Sequence, residues 1–465
     1  MTGNTLARQA GSTSRRAPLL ILALGLVLIT VFSASAASAH RGEQSYLYLD
    51  VTETELGGSV HLPYTDIREV LGLSLEGTDE EIQAELAANR DELINYIKTH
   101  TSIGADGVEW ALEFSDEDPG LLDEGEGAPG YALFPYVADL PVSEVPRELD
   151  VTFDPFLSEL DGRDSIVLVG NDWQRGVFDQ EANELRVFTP GDASATIDLG
   201  NPSQWLNFTG SIGLGVDHIQ DGPDHVFFVL VLLIPSVLVF AGTWKPAPSF
   251  ISSLWRILKI VTMFTLAHSI TFTLAGLDFI PLPSAKIVET VIAVSIAAAA
   301  IHNLRPVFLN REWLLAFGFG LFHGLGFASL VEALDTDRGT QLISLLGRNI
   351  GIEIGQAVVV LVAFPALFLL RRTRYYNPLM IVGSIGLAII AIIWAIERIF
   401  EVEFGTTDFI LLFTKWPRSF IAMIFVTVAA WLIHRTEDRA GRLLPVGPHM
   451  NEIDQDEARK QLANR

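Results

Sequence analysis

The feature that most constrains the fold is a series of seven apolar runs in the second half of the chain. They lie at about 224–242, 257–277, 287–304, 313–331, 344–370, 378–397 and 418–434. A helix that crosses a bilayer needs about 17 to 25 mostly apolar residues, so each run predicts one crossing. We therefore expect an all-α polytopic membrane domain of about seven transmembrane helices over residues 206–434.

The charges between the runs predict how these helices are oriented. Lys and Arg collect beside the first, third and fifth loops and in the tail, whereas the second, fourth and sixth loops are mostly acidic. Positive loops face the cytoplasm. The pattern predicts a multi-pass protein of the cell membrane, with an extracytoplasmic amino-terminal domain and a cytoplasmic tail at 435–465.

The first half of the chain has the composition of an exported soluble domain. Residues 1–39 have a basic start, an apolar stretch and small residues up to Ala39, which predicts a signal peptide, with an uncleaved anchor helix as the alternative. Residues 40–205 carry 36 Asp and Glu against 8 Lys and Arg, whereas the net charge of the whole chain is −25. The chain has no cysteine, so disulfides and thiolate ligands are excluded.

Alternating apolar residues predict a β-rich fold for this acidic extracytoplasmic domain. Period-two segments at 45–51, 150–153 and 165–169 predict antiparallel strands of a sandwich-like fold. One helix is predicted from Thr78, which forms a capping-box pattern with Glu81, to about Thr99. The fold class is therefore mixed: an exported, mainly-β domain followed by the helical membrane domain.

Metal-ligand side chains stand where the first apolar run begins. The pattern H-x5-D-H places His218 before Asp224 and His225, and Gly222-Pro223 between them predicts a turn or loop that ends where the helix starts. Imidazole and carboxylate without sulfur suit borderline ions such as Ni²⁺, Co²⁺ and Zn²⁺. Alternatively, the two His bond to the loop and Asp224 only caps the helix.

Further polar residues lie inside the later runs, where such residues mark ion or proton paths. His268 and Ser269 belong to the second run and His323, between two glycines, to the fourth. Both His are candidate metal ligands, although hydrogen bonds between packed helices would also explain them.

One face of the fifth run carries Asn349, Glu353 and Gln356 at helical spacing. Glu353 is the candidate for proton coupling or a supporting ligand, and pairing with Arg348 is its alternative role. The third run adds His302 and Asn303 as weaker supporting polar residues, and Glu289 near its other end.

Four segments together resemble one protein family. They are 218–225 (HIQDGPDH), 262–271 (TMFTLAHSIT), 318–328 (GFGLFHGLGFA) and 349–356 (NIGIEIGQ). Over roughly residues 205–370 the chain resembles the HupE/UreJ family, whose members are regarded as secondary permeases for nickel or cobalt. The resemblance implies metal ligation by His218, Asp224 and His225. The chain departs from the family at His302-Asn303, where related sequences tend to place an acidic residue before the Asn.

These observations predict a secondary transporter of a divalent metal ion, Ni²⁺ or Co²⁺, that works in a lipid bilayer and needs no tightly bound cofactor. The alternative is an intramembrane Zn²⁺ hydrolase acting on lipid, with Asp224 and Ser269 at its site. A haem protein or a membrane-tethered interaction module are weaker alternatives. No nucleotide-binding loop is present, nucleic acid is not expected as a partner, and a metal-delivery partner stays unknown.

Overall fold

The computed structural model describes residues 44–122, 130–178, 183–277, 279–309, 311–326, 338–402, 404–407, 410 and 414–448. The predicted signal peptide at 1–39 and the tail beyond residue 448 lie outside the described residues. The chain forms two compact units. We call the described part of 37–211 and 334–347 the β-rich unit, and the described part of 212–333 and 348–465 the helical unit.

Two sheets make up most of the β-rich unit. Their strands are β1 (Ser45–Val51), β2 (Leu56–Pro63), β3 (Thr101–Ala105), β4 (Val108–Glu109), β5 (Ala111–Phe114), β6 (Gly120–Leu122), β7 (Tyr131–Asp139), β8 (Glu148–Phe153), β9 (Ser165–Asp172), β10 (Asn183–Phe188) and β11 (Ser194–Asp198). One sheet has the order β10-β9-β1-β2-β7-β5, with β6 also on β7, and the other has the order β11-β8-β3-β4. All pairs are antiparallel except β1 with β9.

One hydrophobic core is shared by both sheets. It contains Leu47 and Phe134 from the first sheet and Ile103 and Val151 from the second. The three predicted strands are present, but two of them, β1 and β9, pair parallel to each other rather than antiparallel. β1 has the predicted bounds because alternate side chains of this segment are apolar and buried. The sandwich-like packing of the two sheets stays a prediction.

Three helices accompany the strands, where the sequence predicted one. They are α1 (Tyr64–Leu71), α2 (Asp79–Ala88) and α3 (Arg90–His100). The prediction of one helix from Thr78 to Thr99 is wrong, because Asn89 interrupts it with φ −110° and ψ 14°. The capping box is confirmed: the Thr78 amide donates to Glu81 Oε2 over 2.9 Å, and the Glu81 amide donates to Thr78 Oγ1 over 3.3 Å.

The second half of the chain is helical. Its elements are α4 (Gln204–Asp221), α5 (Pro223–Ser236), the hairpin β12 (Leu238–Phe240) with β13 (Trp244–Pro246), α6 (Phe250–Gly276), α7 (Ala285–Leu304), α8 (Glu312–Gly326), α9 (Arg338–Leu370), α10 (Tyr376–Phe400) and α11 (Arg418–Arg439). Among the described residues, α6, α7, α9, α10 and α11 are long and apolar enough to cross a membrane. The chain therefore has the helices of a multi-pass membrane protein.

Two of the seven predicted crossings have shorter helices. The run at 224–242 is not one helix, since α5 ends at Ser236, one residue after Pro235, and the hairpin follows. Arg256 donates to the carbonyls of Ser236 (2.6 Å) and Leu238 (2.8 Å), and so satisfies backbone acceptors that the interrupted helix leaves open. In the run at 313–331, α8 ends at Gly326 and the rest lies outside the described residues.

Side-chain contacts show the direction of α7 relative to α8 and α10. The start of α7 meets the end of α10 through Glu289 and Arg398, and the end of α7 meets α10 through Asn303 and Ser384. Likewise, Ser295 of α7 contacts His323 of α8, and a Cβ on Gly326, three residues later on α8, would lie 3.0 Å from Ile292 Cδ1, three residues earlier on α7. The pairs α7/α10 and α7/α8 are therefore antiparallel.

Helices α4 and α5 follow one another along α9 as one helix broken at Gly222. A Cβ on Gly351 of α9 would lie 2.1 Å from the Ile212 carbonyl oxygen, and one on Gly355 would lie 3.0 Å from Ile219, so α4 runs parallel to α9 in close contact. The Tyr376 hydroxyl, beyond the end of α9, donates to the Ile234 carbonyl near the end of α5. The break at Gly222 thus lies between these two contacts.

Candidate metal centre

Five predicted ligands come together at the broken helix. They are His218 (α4), Asp224 and His225 (α5), His268 (α6) and His323 (α8), and we call them the histidine cluster. The ring centre of His225 lies 4.5 Å from that of His218, 5.4 Å from that of His323 and 6.0 Å from that of His268. Side chains up to 105 positions apart in sequence therefore share one site.

The local structure differs from the prediction in two details. His218 lies in the last turn of α4 rather than in a loop that folds back. The N-cap of α5 is Gly222, so Asp224 belongs to the first turn and does not cap the helix. Pro223 at the first helical position explains the break, because proline has no N–H and cannot continue α4. The predicted break itself is confirmed.

Two side chains orient the imidazoles of the cluster. Asp224 Oδ1 lies 3.0 Å from His225 Nδ1, and Ser295 Oγ lies 3.0 Å from His323 Nε2. Each contact leaves the other ring nitrogen available, which is how outer hydrogen bonds direct metal-binding histidines. The position of Ser295 was not predicted, because no sequence pattern connects it to His323.

Several ring nitrogens of the cluster are buried without a partner. Within the described residues, His225 Nε2, His323 Nδ1 and both nitrogens of His268 have no hydrogen-bond partner. A buried polar group left unsatisfied costs about 1–3 kcal/mol. The protein tolerates this cost at three neighbouring rings, which is the arrangement expected where a ligand supplies the missing interactions.

The spacing of the ligand atoms suits a metal ion. His218, His225 and His268 offer atoms within 4.8 Å of one another, and so do Asp224, His225 and His323. Metal–nitrogen bonds of about 2.0–2.1 Å place ligand atoms up to ~4.2 Å apart, so small side-chain shifts suffice to close either group on an ion. Since His225 belongs to both groups, the cluster contains two overlapping three-residue sites.

Close helix packing holds His268 and His323 together. A Cβ on Gly324 of α8 would lie 2.3 Å from the His268 carbonyl oxygen, and one on Gly320 would lie 2.4 Å from that of Phe264. The two glycines therefore let α8 approach α6 as closely as the sequence predicts for small residues. The ring of Phe264, centred 4.9 Å from that of His323, closes the apolar side of the cluster.

A cavity of about 300 Å³ leads to the cluster. His218, Asp224, His225 and His323 line its inner part. Asp221, Glu289, Trp394, Arg398 and Thr407 are further lining residues. The lining comes from the amino-terminal ends of α5 and α7 and the carboxyl-terminal ends of α8 and α10, which lie at the same end of the bundle because the helices alternate in direction.

The predicted polar face of α9 contacts α6. Thr262 Oγ1 donates to Glu353 Oε1 over 2.6 Å, and Thr265 Oγ1 donates to Gln356 Oε1 over 2.7 Å. Gln356 is fully buried, and its Nε2 has no partner within the described part of the chain. These residues do not line the cavity, so they form a separate polar contact.

Two other predicted polar residues of the bundle are half-buried. Asn349 lies on α9, and its Oδ1 has no hydrogen-bond partner in the described residues. Ser269 lies on α6, next to His268 in sequence.

The structure does not bring His302 and Asn303 to the cluster. His302 Nε2 accepts the Phe308 amide over 3.1 Å, and the Asn303 amide donates to the Val231 carbonyl over 2.7 Å. Both line a second cavity of about 30 Å³ near the carboxyl-terminal end of α5. Their contacts are those of residues that stabilise helix ends and helix packing.

Comparison with known proteins is consistent with this geometry. Residues 194–398 match the family described as HupE / UreJ protein. The matched region covers α4 to α10, apart from the last residues of α10, and includes the whole histidine cluster. Curated proteins gave no match, and neither did solved structures. The resemblance seen in the four sequence segments is thereby confirmed, and residues 194–398 are similar to the HupE/UreJ family.

Proposed function

We propose that this protein is a secondary permease for a divalent transition-metal ion, Ni²⁺ or Co²⁺, which is its cargo. The observation that carries the proposal is the convergence of four histidines and Asp224 at a helix break beside a cavity, with buried ring nitrogens that have no partner in the described residues. Transporters place substrate sites at discontinuous helices inside the membrane.

The donor set supports this class of cargo. Imidazole nitrogens and one carboxylate bind borderline ions such as Ni²⁺, Co²⁺ and Zn²⁺, whereas Mg²⁺ and Ca²⁺ prefer oxygen ligands and Cu⁺ prefers sulfur. The absence of cysteine from the sequence excludes thiolate ligands from this chain. Histidine ligands also release their cargo when they gain protons, which couples metal affinity to pH.

We place the ion first on the group formed by Asp224, His225 and His323, because these residues line the cavity. His225 also belongs to the group with His218 and His268, and it would pass the ion to this group by exchange of one ligand at a time. The buried Gln356, with Glu353 on the same face of α9, gives a polar route past this point and a carboxylate for proton coupling.

The topology we propose has seven crossings, with the β-rich unit outside, the tail inside and the amino-terminal signal removed. In this topology, α4 and α5 together form the first crossing, since α5 alone is too short to span a bilayer. The fourth crossing includes α8. The alternating directions of α7, α8 and α10 and the distribution of Lys and Arg support this arrangement. In it, the cavity opens to the outside.

The test is uptake of radioactive nickel by cells that make the intact chain, His225→Ala or His434→Ala at equal membrane levels. His434 is the matched control, because it lies in α11 and its Nδ1 contacts the Leu369 carbonyl over 2.8 Å. We expect uptake by the intact chain and His434→Ala and background uptake by His225→Ala. Competition by cobalt and zinc ranks selectivity, and equal uptake by all three chains would contradict the proposal.

A further inference from the structure

An ion pair lies at the outer end of the cavity. Glu289 Oε2 of α7 lies 2.5 Å from Arg398 Nε of α10, and both side chains line the cavity. They are 44% and 43% exposed, whereas the His225 side chain is 4% exposed, so the pair lies toward solvent and the cluster lies deeper. We call the Glu289–Arg398 pair the mouth pair.

The charges along the cavity are ordered. Asp221, the other carboxylate of the outer lining, lies 3.8 Å from Lys415 Nζ. Both outer carboxylates therefore face a cation of the protein. Asp224 lies deeper, beside the imidazoles of the cluster, and has His225 as its partner. A cation that enters the cavity meets carboxylates whose charges are already balanced.

On the basis of the proposed permease function, we propose that the mouth pair is a charge gate, in which Glu289 is the first binding group for the divalent cation and Arg398 is the counter-ion that the cation replaces. With no cargo bound, the guanidinium balances Glu289 and occupies the entrance. When a divalent ion arrives, Glu289 turns from Arg398 to the ion, and the freed Arg398 side chain leaves the path.

The physical reason for such a pair is charge balance. A divalent ion held by Asp224 and neutral imidazoles leaves one uncompensated positive charge in a poorly solvated cavity. Glu289 supplies the missing negative charge only after it leaves Arg398. A cavity lined only by negative charges attracts cations of every kind. A balanced ion pair opens only for a cation that binds the carboxylate more strongly than the guanidinium does.

A second ion pair, between α7 and Glu401 at the C-cap of α10, provides the matched control. Lys286 Nζ lies 2.9 Å from Glu401 Oε1, each three positions along the chain from a residue of the mouth pair, and neither residue lines the cavity. If an ion pair between α7 and α10 serves only to hold the helices together, both pairs should behave alike. If the mouth pair is a gate, the two pairs should differ.

Access to the cavity can be measured directly because the chain has no cysteine. Ala293→Cys introduces a single thiol in the cavity lining, four residues after Glu289 on α7. The measurement is the ratio of its labelling rates with a cationic and an anionic methanethiosulfonate reagent of similar size. It is made in the full chain in lipid nanodiscs without metal.

We expect Arg398→Gln to raise this ratio by about threefold or more at low salt and Glu289→Gln to lower it similarly, with both effects reduced at high salt. Lys286→Gln and Glu401→Gln should leave the ratio unchanged. An equal change in both labelling rates would mean that Arg398 blocks the cavity only by its size and not by its charge. No change, or the same change in the control variants, would also overturn the gate.

Nickel uptake completes the test, in the same variants without the added cysteine. Glu289→Gln should lower uptake at subsaturating nickel by about threefold or more, and the double variant with Arg398→Gln should stay low because it still lacks the carboxylate. Recovery in the double variant would show a structural pair and overturn the gate. If the intact chain takes up no nickel while the labelling ratio responds as expected, the permease function fails and the charge gate stands. If uptake is normal and the ratio does not respond, the gate fails alone.

Discussion

A buried carboxylate of the β-rich unit and a buried imidazole of the helical unit differ in whether they have a hydrogen-bond partner. In the β-rich unit, the Asp66 carboxylate is 1% exposed and accepts from Arg163 Nε over 3.1 and 3.0 Å, and Asp172 pairs with Arg147. In the helical unit, His268 is fully buried, and neither of its ring nitrogens has a hydrogen-bond partner in the described residues. At these positions, the paired charges hold elements of the β-rich unit together, whereas the imidazole of the helical unit has nitrogens that remain available to a ligand.

This difference separates structural from functional polar groups. A buried charge whose partner is removed destabilises the fold by several kcal/mol, so paired charges of this kind identify contacts that the fold needs. A buried imidazole without a partner already carries its desolvation cost, so its replacement by an apolar side chain of similar size removes that cost from the fold. The comparison therefore predicts which substitutions change stability and which change metal binding.

The largest effect on stability is expected at Asp66→Ala. This change leaves the largely buried Arg163 without its carboxylate partner and should lower the free energy of unfolding of the β-rich unit by about 3–5 kcal/mol. Hydrogen exchange of the β1 and β9 amides in the full chain measures it. The control is Arg186→Ala, whose pair with Asp192 is about half exposed and should contribute less than about 1 kcal/mol. Similar losses in the two variants would contradict the structural role of buried pairing.

His268→Leu tests the other side of the comparison. We expect nickel affinity to fall about 100-fold or more, because changes next to a metal ligand alone can cost up to that factor. The thermal midpoint should stay the same or rise, since leucine has no polar atoms to satisfy. Titration calorimetry and thermal melting of the purified chain measure both. A clear drop in melting temperature with unchanged nickel affinity would show that His268 is structural.

The sequence predicts the parts of this comparison that depend on local pattern. The capping box of Thr78 and the strand at 45–51 follow from short spacings, and the structure confirms them. The helix break at Gly222-Pro223 follows equally from local chemistry, because proline lacks the amide that α4 would need to continue. Of the five histidines near apolar runs, the sequence analysis named four as candidate metal ligands, and the structure brings these four together.

The parts that the sequence did not predict depend on distant contacts. Asn89 divides a segment whose apolar period continues across it, so periodicity alone predicts one helix. Helix α4 was not predicted because its glycines are unfavourable in an isolated helix, and the sequence does not show that Gly215 packs against the Arg348 carbonyl of α9. The two residues of the mouth pair lie 109 positions apart. The sequence alone therefore shows Glu289 only as a charged residue near a helix end and does not indicate its partner.

Gly324→Ala measures how closely α8 must approach α6 for the cluster to form. The added methyl group would lie 2.2 Å from Thr271 Oγ1 and 2.3 Å from the His268 carbonyl, so the helices must separate at a cost of about 1–3 kcal/mol. We expect lower nickel uptake together with a lower melting temperature. Gly318→Ala on the same helix has no atom within 4 Å of its Cβ and should be neutral or stabilising by up to about 1 kcal/mol. If Gly318→Ala were as harmful as Gly324→Ala, any glycine of α8 would matter, and close contact at the cluster would not be the reason.

The smallest effect, and the sharpest test that the two units have separate roles, is expected at Thr78→Ala. Loss of the side-chain cap at the start of α2 should cost about 1 kcal/mol, and Thr78→Ser should restore most of it because serine also accepts from the Glu81 amide. Faster hydrogen exchange in α2 of the full chain measures the loss. Nickel uptake should not change, because nothing in the proposed path involves this helix. A fall in uptake in Thr78→Ala that Thr78→Ser reverses would show that α2 takes part in transport, and the division between a structural unit and a transporting unit would then be wrong.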